Sequence, residues 1–181
     1  KKLCAVVEKL ILPDDTALEC ACGTGLLTEV IAKRCKSLTA TDFSAKMLEK
    51  AKKKCAKYGN VCFAQADILH LPYPDESFDA VVAANVIHLL DEPYAALREL
   101  ERVCRHDGRI IIPTYMNRTE KGETNGVSNA IGRAGADFKR EFTPETYMEF
   151  FAAAGYTKAE CILCEGRIPC AVAVLRKEEK I

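Results

Sequence analysis

Apolar positions along the chain switch between helical and strand-like spacing. Residues 1–12 carry Leu3, Val6, Val7, Leu10 and Ile11 at helical intervals, and Pro13-Asp14-Asp15 turns the chain. Thr16 to Cys20 is a short apolar run of the length of a buried strand. It leads into the glycine turn Gly23-Thr24-Gly25, and a helix follows through Leu27, Val30, Ile31 and Cys35. Ser37 to Thr41 reads as a second strand that closes at Asp42. Ser44 caps the next helix, which places Met47, Leu48, Ala51 and Cys55 on one face and stops at Gly59 or Asn60. Val61 to Gln65 is the third strand. Phe78 to Ala84, interrupted by Asp79, has the near-continuous apolar character of a central parallel strand covered on both faces. Pro93 opens a helix bearing Tyr94, Leu97, Leu100 and Cys104, stopped by Gly108, and Arg109 to Pro113 is the fifth strand. Thr143-Pro144 pairs an N-cap with a first-turn proline, and the helix it opens ends at Gly155. The last strands, Lys158 to Leu163 and Cys170 to Leu175, are joined by Glu165-Gly166-Arg167, a link short enough for a hairpin.

Strands spaced by helices imply a parallel sheet with helices on both faces. The expected fold is α/β: a Rossmann-like, doubly wound, mostly parallel seven-stranded sheet with a C-terminal antiparallel hairpin. Residues 1–181 read as a single domain. The break in rhythm is 115–142, with Gly122, Gly126, Gly132 and Gly135, mixed charges and little periodicity. A connection of that length suits a lid or a substrate-side insertion.

Composition narrows the function. The chain has 26 Lys and Arg against 26 Asp and Glu, so its formal charge is zero and nothing draws it electrostatically toward nucleic acid. Arg118, Lys121, Arg133, Lys139 and Arg140 alternate with Glu120, Glu123, Asp137 and Glu141, the pattern of a solvated surface. No apolar run approaches the ~20 residues of a membrane span. Ten cysteines sit inside apolar patterns, with Cys4, Cys35, Cys55, Cys62 and Cys104 standing where small hydrophobes belong, which suits reduced thiols and a cytoplasmic location. Cys161 and Cys164 lie three apart on a strand and so face opposite sides of the sheet, and Cys20 and Cys22 have no matching pair, so no metal site is expected.

In a doubly wound sheet, ligands bind at the carboxyl ends of the strands where the strand order reverses. The residues there are Glu19, Asp42, Asp67 and Asn85. Gly23 and Gly25 let the backbone turn tightly and approach a ligand. Glu19 can orient that turn or accept from a cationic group. Asp42, 23 residues after Glu19, is placed to accept both hydroxyls of a ribose, with Phe43 beside it to stack on a base. Asp67 can accept from an exocyclic amine while Ile68 covers a ring face. Asp79, inside the fourth strand, is a structural carboxylate that hydrogen-bonds backbone. His88 and Tyr115 are the candidates for catalytic roles. His88 lies in an apolar run that suits a packed histidine better than a base, and Tyr115 follows the fifth strand, where it can line an acceptor pocket.

These segments together resemble the class I S-adenosylmethionine-dependent methyltransferases, nearest the small-molecule group of the ubiquinone and menaquinone C-methyltransferases. The resemblance rests on residues 17–25 and 40–48, Ala66-Asp67-Ile68 with Leu71-Pro72, and residues 77–82. Asn85-Val86-Ile87-His88-Leu89-Leu90 and Leu97-Arg98-Glu99-Leu100 followed by Arg102-Val103 complete it. It covers residues 12–114 strongly and the last forty weakly. It implies that Glu19 and the Gly23 turn, with Ala21 and Gly25, hold the methionine portion of the cofactor, and that Asp42 holds the ribose. It places Phe43 and Met47 on the adenine, Asp67 and Ile68 at its amino edge, and Asn85 near the sulfonium.

Two departures stand out. Ala21 occupies a position where the family has glycine, and a methyl group there suits a backbone that is not left-handed. The chain also opens at Lys1, inside what reads as domain sequence, so the family's N-terminal segment over the substrate pocket is expected to be missing. The expected function is methyl transfer to a small-molecule acceptor. A nicotinamide-dependent oxidoreductase is the first alternative, disfavoured because residues 23–28 lack the third glycine of G-x-G-x-x-G. A non-catalytic S-adenosylmethionine-binding protein on the same fold is the second.

Overall fold

The computed structural model of the chain describes residues 2–116, 139–164, 166 and 169–177. In chain order the elements are α1 (Lys2–Leu10), β1 (Thr16–Cys20), α2 (Leu26–Ala32), β2 (Ser37–Asp42), α3 (Ala45–Cys55) and β3 (Val61–Gln65). They continue as β4 (Phe78–Ala83), α4 (Pro93–Val103), β5 (Cys104–Tyr115), α5 (Pro144–Ala153), β6 (Glu160–Cys164) and β7 (Cys170–Leu175). The strands form one seven-stranded sheet in the order β3-β2-β1-β4-β5-β7-β6. The first five are parallel, and β7 pairs antiparallel with both β5 and β6. The expected α/β architecture is the observed one. The order reverses between β1 and β4, which sets the ligand edge at their carboxyl ends.

The two-residue period of each strand divides the core into two layers. Leu18, Val81, Ala83, Ile110 and Ile112 pack against α4 and α5, with Leu97, Leu100, Tyr147 and Phe151. Ala17, Ala80, Val82 and Ile111 face α1, α2 and α3, with Val7, Ile31 and Leu48. Cys161 belongs to the first layer and Cys164 to the second, as their spacing on a strand requires.

Local signals hold at most helix starts. The Ser44 hydroxyl accepts from Met47 N, and Thr143 forms a capping box with Thr146 ahead of Pro144. The fifth strand departs from the expected pattern. It begins at Cys104 rather than Arg109, with a register shift against β4, and Gly108 lies inside it rather than ending a helix. A Cβ at Gly108 would stand 2.7 Å from Cys104 Sγ and 2.8 Å from the Asp79 carbonyl, so the glycine is there for space. Helix α2 stops at Ala32, short of Cys35, and the Asn60 amide donates to the carbonyls of Ala32 and Cys35, closing that helix end instead of only stopping α3. At the opposite end of the sheet, buried Arg109 donates to the Leu10 carbonyl and pairs with Asp15, tying the end of α1 to β5. Asp79 accepts from Thr16 N at 2.8 Å, the structural role expected of it.

Candidate functional site

Four strand ends meet along the switch-point edge. Register fixes their order: Glu19 pairs with Ala40 and Val82, Cys20 with Ala83, and Asp42 with Gln65. The loop after β1 stays stitched to β2, because Cys22 N donates to the Thr41 carbonyl at 2.8 Å.

Asp42 organises this edge. One of its oxygens accepts from Gly23 N and the other from Ser44 N, both at 2.8 Å. A carboxylate offers roughly four acceptor positions, so two remain for a diol. Both glycines of the turn have left-handed backbones, for different reasons. A Cβ on Gly23 would meet nothing within 4 Å, so its bare face opens onto free space beside Asp42. A Cβ on Gly25 would stand 3.2 Å from the Ala51 backbone and from Cys55 Sγ, so Gly25 lets α3 pack against the turn. Ala21 is also left-handed, at φ 55°. This overturns the condition under which an alanine there is comfortable. The turn holds a strained conformation that an L side chain disfavours.

Glu19 is buried and accepts from the Thr28 hydroxyl at 2.5 Å. Burial pushes its carboxyl up to about 8 against the lowering effect of that bond. It therefore holds a proton at neutral pH until a cation faces it. Thr28 was not a candidate on sequence grounds. Its signal is a hydroxyl on the buried face of α2, between Leu27 and Ile31.

Beyond Asp42, Phe43 is 73% exposed, and Met47 on the first turn of α3 is half-buried. The Gln65 side chain donates to the Phe43 carbonyl at 2.8 Å, fixing the backbone under the ring. Asp67 is half-buried, and one of its oxygens accepts from Leu69 N at 2.9 Å, which shapes its own turn. Ile68 is buried beside it. The following loop is clamped from α4. Glu99 accepts from Leu71 N, and Arg102 donates to the carbonyls of Leu71 and Tyr73. That clamp is the physical content of the Glu99 and Arg102 positions in the 97–103 segment.

After β4, Asn85 turns the chain at φ 52° while its N donates to the Pro113 carbonyl at 2.8 Å. Its side-chain oxygen is buried and accepts no hydrogen bond from the described residues. His88 is buried, and its ring meets the ring of half-buried Tyr115 edge-on, centroids 6.1 Å apart. The two candidates thus come together, as a packed pair. Burial, with the charge of Arg140 second, pushes the His88 imidazole down to about 4, so it is neutral at physiological pH. Arg140 is not part of a solvated surface. It is half-buried and donates to the carbonyls of Ile87 and Leu90 at 3.0 and 2.7 Å. Within the expected 115–142 insertion, residues 117–138 lie outside the described residues, as do Glu165 and Arg167 of the hairpin link.

All ten cysteines are free thiols. Most are buried, and burial raises the thiols of Cys20, Cys35 and Cys104. Three depart from burial: Cys62 is exposed, and Cys4 and Cys161 are half-buried. Among the described residues, no His, Cys, Asp and Glu group has the geometry of a metal site, and no helix is long and apolar enough to cross a membrane.

A family model described as a methyltransferase domain matches residues 18–112. The chain is 35% identical over 119 residues to a phosphatidylethanolamine N-methyltransferase of Cereibacter sphaeroides, covering 64% of this chain and 58% of that protein. It is 38% identical over 101 residues to a ubiquinone/menaquinone biosynthesis C-methyltransferase of Bdellovibrio bacteriovorus, covering 54% and 43%. The chain therefore spans about half the length of these curated relatives. A solved structure of an S-adenosylmethionine-dependent methyltransferase from Aquifex aeolicus aligns over 94% of this chain and 87% of its own, with a TM-score of 0.71 at 19% identity, a likeness of fold.

Proposed function

Because the chain belongs to the class I S-adenosylmethionine-dependent methyltransferases, we propose that it transfers a methyl group from S-adenosylmethionine to a small-molecule acceptor. The observation that carries this reading is the Asp42 carboxylate, which holds the left-handed Gly23 turn from one side and Ser44 from the other. It keeps acceptor capacity beside the open space over Gly23. The residues present fit the cofactor. Asp42 would accept the ribose hydroxyls, exposed Phe43 and Met47 would flank the adenine, and Asp67 and Ile68 would hold its amino edge. The Gly23 turn, with Ala21 and Gly25, admits the methionine portion, whose ammonium group favours ionised Glu19. Asn85, whose buried oxygen has no donor among the described residues, would serve the reacting end.

Bound there, the cofactor supplies a methyl group on a sulfonium that departs as a neutral thioether. The protein's work is then alignment and exclusion of water. His88, neutral and packed on Tyr115, accepts a proton only from an acceptor that is already acidic or already activated. The relatives are named for lipid-linked acceptors, so a demethylated quinol and an aminoethanol phospholipid are the first acceptors to offer. The free thiols support a cytoplasmic location. A nicotinamide cofactor is disfavoured, since the third-glycine position of its fingerprint holds Thr28, whose hydroxyl is committed to Glu19.

The test is calorimetric titration with S-adenosylmethionine, S-adenosylhomocysteine and NAD, on the wild type and on Asp42→Ala. Binding of both adenosyl ligands, lost in the variant, supports the reading, and turnover on either acceptor completes it. Binding without turnover on any acceptor favours the non-catalytic alternative. NAD binding alone refutes the reading.

A further inference from the structure

The segment after β4 makes one turn, closed by Leu89 N donating to the Val86 carbonyl at 2.9 Å. Three of its other carbonyls are collected by two consecutive residues. Lys139 N and Arg140 N donate to the His88 carbonyl at 3.1 and 3.3 Å, and Arg140 Nη1 donates to the carbonyls of Ile87 and Leu90. Three carbonyls within four residues are thus held by a backbone pair and one guanidinium from a segment some fifty residues later. The same turn carries Asn85 at one end and His88 at its centre. We propose that Arg140 is a positioning residue: by gathering the carbonyls of Ile87 and Leu90 it sets the Asn85 and His88 side chains at the reacting end of the cofactor site. The proposal rests on the cofactor reading above.

The chemistry favours arginine for this role. A guanidinium presents a rigid fork of donors and stays charged at all working pH values, so it can hold two carbonyls whose directions differ. Both bonds leave Nη1, whose two N–H groups are fixed in the guanidinium plane; a lysine ammonium also carries three donors, but on a flexible stem that does not fix their directions. Held this way, the turn cannot swing without stranding buried carbonyls. The left-handed backbone of Asn85 is held on one side by β5, through the Pro113 carbonyl, and the clamp fixes the turn that begins two residues later. Among the described residues, the charged and titratable groups around the turn include Arg140 itself, Tyr115 from β5, and the Lys139–Asp91 pair at 3.5 Å.

The experiment compares wild type, Arg140→Met and Arg140→Lys, with Asn85→Ala as reference. Two quantities are read: S-adenosylhomocysteine affinity by calorimetry, and the His88 titration by NMR, its signal identified by loss in His88→Gln. Arg140→Met is expected to weaken S-adenosylhomocysteine about tenfold, the worth of one hydrogen bond to a charged group. Loss of the charge alone moves His88 titration upward in Arg140→Met, whereas Arg140→Lys keeps the charge, so the upward shift expected in that variant reports release of the turn. If Arg140→Met fails to fold, Arg140→Lys carries the test alone. Folded variants that melt lower, yet keep wild-type affinity, with wild-type His88 titration in Arg140→Lys, overturn the proposal. If the wild type does not bind S-adenosylhomocysteine, the cofactor reading fails, and an unchanged His88 titration in Arg140→Lys would sink the clamp separately.

Discussion

The left-handed backbone at Ala21 makes a sharp prediction. Its φ of 55° costs an L residue roughly 1–2 kcal/mol, because Cβ crowds the following carbonyl. Replacing Ala21 with glycine releases that strain. It also loosens the unfolded chain, which gives back about 0.4–1 kcal/mol. The net expectation is stabilisation of about 0.5–1 kcal/mol, or a rise in melting temperature of roughly 1–4 °C for a chain of this size. Thermal unfolding by circular dichroism, in reducing buffer, measures it. Glu76→Gly is the internal control. Glu76 has φ 54° on an exposed loop away from the site, so its glycine variant should also rise, by less, because it gives up the exposed Lys177 pair worth about 0–1 kcal/mol. S-adenosylhomocysteine should leave the size of that rise unchanged. Asn85→Gly separates strain from chemistry. Asparagine tolerates the left-handed region better, so little stability is gained, while the buried side-chain oxygen is lost and ligand affinity should drop. If Ala21→Gly melts at or below the wild-type temperature while Glu76→Gly rises, the turn at Ala21 is not strained and the reasoning fails.

Two further outcomes follow from burial and close packing. The Glu19 carboxyl is raised from an ordinary value near 4.5 to about 8, so the folded state binds the extra proton between those values, and stability is full below about 4.5 and declines as pH rises toward 8. Glu19→Gln should remove that decline and leave in apo protein only the opposite slope from His88, whose lowered imidazole makes stability rise between about pH 4 and 6.5; a decline equal to wild type would mean another group carries it. Gly108→Ala forces a Cβ to 2.7 Å from Cys104 Sγ and 2.8 Å from the Asp79 carbonyl, and should cost about 1–3 kcal/mol or more as overpacking; chemical denaturation reads it, and a loss under 0.5 kcal/mol would show that β5 shifts freely.

Much of the architecture was legible because it is periodic. Alternation of two-residue and helical spacing specified the sheet, its helices and the carboxyl-end positions of Glu19, Asp42, Asp67 and Asn85. Those positions recur at strand ends, where an acid or amide interrupts an apolar run. Ser44 and Thr143 were legible for the same reason, since a cap acts within four residues of itself. The expected end of the fourth helix at Gly108 was wrong, because a glycine needed for close approach looks in sequence like one needed to end a helix.

What the chain order could not convey was the pairing of polar groups across the fold. Arg109 meets Asp15 across 94 positions, and Arg140 meets the Ile87 carbonyl across 53. A hydrogen bond to a backbone carbonyl leaves no mark on the residue that accepts it, so no sequence pattern announced the clamp. Glu19 read as an acid at a strand end, but its burial and its Thr28 partner, which together decide its protonation, exist only once α2 is packed on the sheet. The sequence determined which residues reach the ligand edge, through local periodicity. Tertiary structure decided which of them are strained, protonated or held, because those properties belong to neighbours brought together by folding.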